Sequence, residues 1–231
     1  MSIRDKKLVP NEYYHIYNRG NGKHEIFLDD EDYDRFTKIL YVCNSEKGFN
    51  FRDLIVDSKI DAFDFERGIP LVSILAWVLM PNHFHIILIS PRSDLGENYN
   101  PVTEFMRKLS TAYVMYFNKK YERTGSLFEG KFKSRYIGEE NYFNYIFSYV
   151  HLNPIKLIQS DWKDKGIINR DKARDFLEEY KYSSFLDYFG KKREQNIVID
   201  KNSIPEYSCC HHAKDLFKWI KASNDFHRSD L

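Results

Sequence analysis

The order of predicted strands and helices constrains the fold of this chain more than any other feature of its sequence. Alternating or continuous apolar residues predict strands in "EYYHIYNRG", "PLVSILAWVLM" and "HFHIILIS", and "TGSLFEGKFKSRYIG" runs from a loop into a basic strand. Helical periodicity predicts a helix in "DDEDYDRFTKILYVCNS", capped by Asp29 or Asp30, and one in "NPVTEFMRKLSTAYVMYFNKKY", capped by Asn100 or Thr103. This βαββαβ order is typical of the ferredoxin-like fold, in the α+β class. We therefore predict an antiparallel sheet with helices on one face and "HFHIILIS" as a central strand.

Further helices follow this core. "EENYFNYIFSYVHLNP" has strong helical periodicity and is expected to stop before Pro154, because the residue before a proline is disfavoured in the α-helical conformation. A short helix after Pro154 and another in "DKARDFLEEYKYSSFLDYFG" form a C-terminal helical extension. We predict one domain over residues 1–190, with an inserted loop or hairpin at about 45–69, and a tail over 191–231 that contains a helix in "AKDLFKWIKAS".

The composition argues against a membrane-spanning protein and against one stabilised by disulfide bonds. With 42% apolar and 30% charged residues, the chain resembles an ordinary soluble domain. No apolar stretch approaches the roughly 18 residues that a membrane span needs. The N-terminus has no apolar core like that of a signal peptide, and three cysteines are too few for a disulfide framework. We therefore expect a cytoplasmic protein without a membrane partner.

The net charge of +1 conceals a basic region in the middle of the chain. Between Glu104 and Arg135, eight basic residues stand against three acidic ones, a local balance of +5. Aromatic residues make up 16% of the chain. Basic side chains beside exposed rings suit single-stranded nucleic acid, which requires phosphate neutralisation and stacking, although most rings are expected in the core.

The segment "PNHFHIILI" places two histidines at the start of an apolar strand. Because side chains alternate across a strand, His83 and His85 share one face and could bind a metal ion or simply be half-buried. The helix in "NYFNYIFSYVHLNP" offers Tyr149 and, four residues later, Asn153 on the same helix face. If that face covers the histidines, the Asn153 amide oxygen becomes a third ligand. A tyrosine beside a metal that polarises phosphate is a candidate nucleophile for phosphodiester cleavage.

Each of these assignments has an alternative. Tyr145 lies one turn before Tyr149 on the same helix face and is the rival nucleophile. Asn153 could also be a helix C-cap, and His151 points elsewhere, which favours a packing or capping role. The segment "CCHH" at 209–212 lacks the spacing with which four ligands surround one zinc ion.

The segments that carry these residues resemble the HUH family of single-strand transposases with one catalytic tyrosine, and most closely its REP-associated tyrosine transposase branch. The likeness lies in "YYHIYNRGNGKHEIFLDDEDYDRF", "AWVLMPNHFHIILI", "GSLFEGKFKSRYI", "YVHLNPIK" and "YSSFLDYFG", in the family's order over about residues 12 to 190. "HFH" alone is weak, but its combination with "YVHLNP" is specific. The resemblance implies a ferredoxin-like core, Mg²⁺ or Mn²⁺ at His83, His85 and Asn153, and Tyr149 as the nucleophile.

The resemblance also implies a substrate, single-stranded DNA with a hairpin beside the cleavage site, and a 5′-phosphotyrosine intermediate. The candidate DNA contacts are Asn18, Arg19, Arg107, Lys108, Lys131, Lys133 and Arg135. The insertion at 45–69 and the tail beyond Gly190 depart from the family pattern, so DNA specificity and the choice between monomer and homodimer stay open. Two other functions also stay open: a protein that binds a nucleic-acid hairpin without cutting it, and a metal-dependent hydrolase that uses water.

Overall fold

The computed structural model describes residues 8–48, 60–91, 99–190, 192–208 and 212–219. Within these residues, four strands form a sheet in the order β2-β3-β1-β4, and each neighbouring pair is antiparallel. The strands are β1 (Tyr13–Arg19), β2 (Ser73–Met80), β3 (His83–Ile89) and β4 (Lys133–Ile137). This is the ferredoxin-like order, and it confirms that the strand carrying the two histidines is central.

The helices begin and end close to the positions that the sequence predicts. Their bounds are α1 (Asp30–Val42), α2 (Pro101–Lys120), α3 (Glu140–Leu152), α4 (Trp162–Lys165), α5 (Arg170–Glu179), α6 (Phe185–Phe189) and α7 (Ala213–Trp219). The side chain of Asp29 caps α1, and that of Asn100 caps α2, so of each predicted pair the first residue is the cap. A 3-10 helix, Asn153–Leu157, follows α3 directly.

Helices cover both faces of the sheet, which extends the prediction of helices on one face. Helices α1 and α2 pack on the first face as predicted, with Phe36 and Phe105 against Phe84 in one buried cluster. Helix α3 packs on the second face, where Ile146 joins Val78 in a separate cluster. Every residue of β2 is buried, so its apolar side chains need cover on both sides. The second face, with α3 above it, is the one that carries the histidines.

The insertion and the tail are described in part. Of the predicted insertion, residues 49–59 lie outside the described residues. Its 3-10 helix, Ala62–Asp64, packs against the first core. In the tail, the predicted helix is present as α7, which packs against α3 through Leu216 and Phe217. Residues 209–211 of the "CCHH" segment lie outside the described residues. Among the described helices, none is long and apolar enough to cross a membrane.

Candidate active site

Strand register places the two histidines side by side on the second face of the sheet. His85 pairs with Tyr17 on β1 and with Val78 on β2, while Phe84 between the histidines enters the first core. The imidazole centroids of His83 and His85 are 5.1 Å apart, with their planes nearly perpendicular. The shared face predicted from strand alternation is therefore present, and the two rings can direct nitrogen atoms toward one point.

A neighbouring amide defines which nitrogen of His83 is free to bind. His83 Nδ1 lies 2.6 Å from Asn82 Oδ1, and Asn82 Nδ2 donates to the Lys23 carbonyl. Because the second bond fixes the orientation of the amide, Oδ1 accepts and His83 Nδ1 carries the proton. The lone pair of His83 is then on Nε2. An imidazole fixed in this way is prepared for metal ligation.

A third histidine, which the sequence analysis missed, lies behind His85. His15 Nε2 is 2.8 Å from His85 Nδ1, and His15 is completely buried. In the tautomer that leaves a lone pair on His85 Nε2, Nδ1 of His85 donates to His15. Nδ1 of His15 has no hydrogen-bond partner among the described residues. The available signal was that His15 shares a strand face with Tyr17, but only the register shows that this face adjoins His85.

Helix α3, which carries Tyr149, covers His15, His83 and His85. The Tyr149 ring lies 5.4 Å from the His85 ring, nearly perpendicular to it, and Tyr149 is only 3% exposed. One turn later, the Asn153 amide raises the pKa of His83 and lowers that of Tyr149, so it interacts with both side chains. Asn153 is 2% exposed, and its Oδ1 has no aligned hydrogen-bond partner among the described residues. The structure thus brings together the four residues that the sequence selected.

Lys163, on the short helix α4, contacts the candidate nucleophile and was also missed by the sequence analysis. Its Nζ donates to the Tyr149 hydroxyl at 2.9 Å and lies 4.1 Å from the centre of the Tyr149 ring. Burial lowers the pKa of Lys163 to about 8, and the positive charge of Lys156 contributes. A four-residue helix has no periodicity from which this placement could be predicted.

Burial also determines the charge state of the site. It lowers the pKa of His83 to about 4 and that of His15 to about 3, with smaller contributions from nearby cations, and it holds that of His85 well below its usual value. Burial raises the pKa of Tyr149 above its usual value. At neutral pH the imidazoles are therefore neutral and the phenol keeps its proton. Neutral imidazoles are the form that binds a metal ion.

The structure also shows the positions of Tyr145, the alternative nucleophile, and of His151, both on α3. Tyr145 stacks beside Tyr149, with ring centroids 6.4 Å apart, while Tyr149 contacts both His85 and Lys163. His151 is completely buried, its Nδ1 donates to the Phe147 carbonyl and its Nε2 bonds Ser184. The packing role expected for His151 is confirmed.

Of the predicted DNA contacts, Arg19, Lys133 and Arg135 lie on the histidine face of the sheet. Arg19 pairs with His83 in the strand register, and its guanidinium forms an ion pair with Glu129. Asn18, in contrast, pairs with Phe84 and therefore lies on the first face, where it is buried and donates to the Gly130 carbonyl in the loop before β4. The basic side chains of β4 and the residues before it are Lys131, Lys133 and Arg135. In the sheet, Lys133 pairs with Tyr17 and Arg135 with His15, so both extend the second face to its edge strand.

Two predicted DNA contacts lie on the other side of the sheet. Arg107 and Lys108 belong to α2, which packs on the first face, whereas the histidines lie on the second. Arg107 forms a two-pronged ion pair with Glu104. Lys108 Nζ donates to the carbonyls of Ser45 and Lys47, so it anchors a loop. The structure does not bring these two residues to the histidine site, although the sequence grouped them with Arg135.

The donor set fits a hard divalent cation with mixed ligands. Among the described residues, no group of three or more His, Cys, Asp or Glu side chains is arranged to hold a metal. A metal here would therefore use the lone pairs of His83 and His85 with the amide oxygen of Asn153. The unpartnered, buried Asn153 Oδ1 is the observation that supports this fit, because a buried acceptor without a donor costs free energy unless a ligand satisfies it.

Comparisons with known proteins give distant structural likenesses. No protein-family model matches the chain, and no curated protein matches it. Among solved structures, it is similar to a REP-associated tyrosine transposase bound to a REP hairpin, with 14% identity, 81% of this chain and 85% of that chain covered, and a TM-score of 0.48. It is also similar to tRNA(His) guanylyltransferase from Saccharomyces cerevisiae, with 13% identity, 88% and 85% covered, and a TM-score of 0.31. Likenesses this distant assign no function, which must be inferred from the site itself.

Proposed function

We propose that this chain is a single-strand DNA transposase or endonuclease that cleaves and rejoins DNA through Tyr149. The observation that carries the proposal is the position of the Tyr149 phenol, beside His85, Asn153 and a lysine. A buried tyrosine used only for packing does not require two neutral histidines and an unsatisfied amide around it. The resemblance of the segments "LMPNHFH" and "YVHLNP" to the HUH transposases supports the same chemistry.

His83, His85 and Asn153 would hold Mg²⁺ or Mn²⁺ through Nε2, Nε2 and Oδ1. The bound metal would stabilise the negative charge that develops on a phosphate oxygen during cleavage. Asn82 orients His83 and His15 orients His85, so the protein presents both lone pairs before the metal arrives.

The remaining residues of the site bind and position the DNA strand. Lys156 is exposed beyond the helix end and its charge reaches His83, as does that of Arg19. Lys133 and Arg135 continue this positive surface along the edge strand, where a DNA backbone would cross. Arg107 and Lys108 are left out of this path because α2 covers the other face.

The reaction is a transesterification. The Tyr149 oxygen bonds to phosphorus while the bond to the 3′ oxygen breaks, which leaves a 5′-phosphotyrosine and a free 3′-hydroxyl. Attack on the phosphotyrosine by the 3′-hydroxyl of another strand reverses the step and joins the two strands. No ATP is required, because the ester to Tyr149 retains the energy of the broken bond.

A covalent-adduct assay tests the proposal. A pool of single-stranded hairpin DNAs, labelled at either end, is incubated with the protein and Mn²⁺ and resolved on a denaturing gel. We expect the 3′ label on the protein and the 5′ label on a shorter free strand. The adduct should disappear with EDTA, with His83→Ala and with Tyr149→Phe, and persist with the matched variant Tyr145→Phe.

Each other outcome identifies a different function. An adduct lost in Tyr145→Phe and kept in Tyr149→Phe would move the nucleophile by one helical turn. Hairpin binding without any adduct would indicate a recognition protein that does not cut. Metal-dependent cleavage without an adduct would indicate a hydrolase that activates water.

A further inference from the structure

The contact between Lys163 and Tyr149 has no role in the metal or DNA assignments. The Lys163 Nζ is 2.9 Å from the Tyr149 hydroxyl oxygen and 4.1 Å from the centre of the Tyr149 ring. Lys163 lies on α4, whereas Tyr149 lies on α3, and Trp162 of α4 is completely buried and stacks near the Tyr149 ring. The burial of Trp162 therefore fixes the position of the lysine next to it.

The charges around Lys163 favour loss of its proton. Lys156 repels the ammonium from the 3-10 helix after α3, and Asp164 on α4 only partly offsets this repulsion. On the sheet, the Lys163 charge interacts with His15, His83 and His85. These three imidazoles are neutral at pH 7 and do not compensate the charge. Lys163 is thus a cation held beside a phenol without a strong anionic partner among its described neighbours, which is how proteins lower the pKa of a lysine.

Cleavage requires a base for the Tyr149 proton, because the hydroxyl must lose this proton as its oxygen bonds to phosphorus. Among the described residues, Lys163 and Asn153 form hydrogen bonds with this hydroxyl, while the phenols of Tyr145 and Tyr17 interact with it electrostatically and do not accept a proton near pH 7. An amide does not accept a proton near pH 7, and the lone pairs of His83 and His85 are assigned to the metal. A neutral lysine amine at hydrogen-bond distance can accept it.

We propose, on the basis of the function proposed above, that Lys163 is a catalytic residue whose neutral amine accepts the Tyr149 phenol proton. As the oxygen–phosphorus bond forms, the proton passes to Nζ, and the bond between phosphorus and the 3′ oxygen breaks. The departing 3′ oxygen keeps the electron pair and takes a proton from solvent water. During rejoining, the attacking 3′-hydroxyl gives its proton to solvent, and the Lys163 ammonium returns its proton to the phenolate as Tyr149 leaves, so the cycle is balanced.

The pH dependence of adduct formation tests this role. Under single-turnover conditions with Mn²⁺, we expect the wild-type rate to rise with pH and level off above about 8, because the fraction of neutral Lys163 rises through its pKa. Lys163→Met should lower the rate at pH 8 by about 100-fold and remove this inflection. Lys163→Arg should be equally slow, since a guanidinium keeps the positive charge but does not release its proton.

Two controls separate chemistry from folding. Lys165→Met alters an exposed lysine of the same helix that pairs with Asp161, and it should keep the wild-type rate and pH profile. Lys163→Ala should be rescued by added ethylamine in proportion to its neutral fraction, a response that a packing role would not produce.

The outcomes distinguish the two proposals. If wild-type protein forms an adduct and Lys163→Arg or Lys163→Met keeps its rate and inflection, Lys163 is not the proton acceptor, while the proposed function stands. A wild-type protein without an adduct at any pH would remove the proposed function and this inference together.

Discussion

Two buried polar clusters lie on opposite faces of the sheet and differ in how well their hydrogen bonds are satisfied. On the first face, Asp32 is completely buried between α1 and α2. Its carboxylate accepts hydrogen bonds from the Leu28 amide, the hydroxyls of Tyr116 and Tyr121, and the Lys120 ammonium. This cluster joins the two helices, and each of its Asp32 oxygens has a donor.

On the second face, the histidine cluster leaves polar atoms without partners. Nδ1 of His15 and Oδ1 of Asn153 are buried and make no hydrogen bond within the described residues. Each such atom costs about 1–3 kcal/mol unless a ligand or a water molecule satisfies it. Unpartnered polar atoms also occur elsewhere among the described residues, at Trp77 and Ser90 for example. The two in the histidine cluster lie beside His83 and His85, and it is there that we expect a ligand.

Removal of the Asp32 carboxylate should destabilise the protein more than any other change considered. Asp32→Ala would leave the donors of Leu28, Tyr116 and Tyr121 buried without an acceptor, so we expect the free energy of unfolding to fall by about 3 kcal/mol. Thermal unfolding should show a midpoint lower by about 10 °C. Asp34→Ala, at an exposed position on the same helix, is the matched control and should change stability by no more than about 0.5 kcal/mol. Equal stability of the two variants would refute the distinction between the clusters.

On the second face, His15 should contribute to metal affinity more than to stability. His15→Phe keeps an aromatic ring but removes the unpartnered nitrogen and the bond to His85. We expect stability without metal to change little, because removal of the unpartnered His15 nitrogen offsets the acceptor that His85 Nδ1 loses. Mn²⁺ affinity, measured by calorimetry, should fall by about 10- to 100-fold. A variant that loses stability but binds Mn²⁺ normally would show that His15 is only a core residue.

Substitution of single basic residues on the two faces should change hairpin binding only modestly. Arg135→Gln should weaken hairpin binding several-fold and lower the salt dependence by about one ion, because Arg135 lies on the histidine face. Arg107→Gln, on the helix that covers the first face, should leave both values within about twofold. Binding by fluorescence anisotropy at several salt concentrations measures both, and a larger loss for Arg107 would place the DNA on the opposite face.

Local patterns predicted the elements of the fold and the residues within one element. Strand alternation predicted that His83 and His85 share a face of the sheet, and helical spacing predicted that Tyr149 and Asn153 share a face of the helix. Both predictions depend only on residues that are close along the chain. The placement of His15 depends on the register between β1 and β3, which a single strand does not encode. The sequence also does not show on which side of the sheet an exposed basic residue lies. Arg107 and Arg135 were therefore predicted to bind DNA together, although they lie on opposite sides.

The burial of Tyr149 has a consequence for the lifetime of the proposed covalent intermediate. The residue is 3% exposed, with Trp162 stacked near it and the Lys163 Nζ over its ring. A phosphotyrosine formed in such a pocket is shielded from bulk water, so hydrolysis competes poorly with a DNA end that is delivered to the site. The same packing that hides the nucleophile would thus favour strand exchange over simple degradation, and the broken strand would remain ready to be joined.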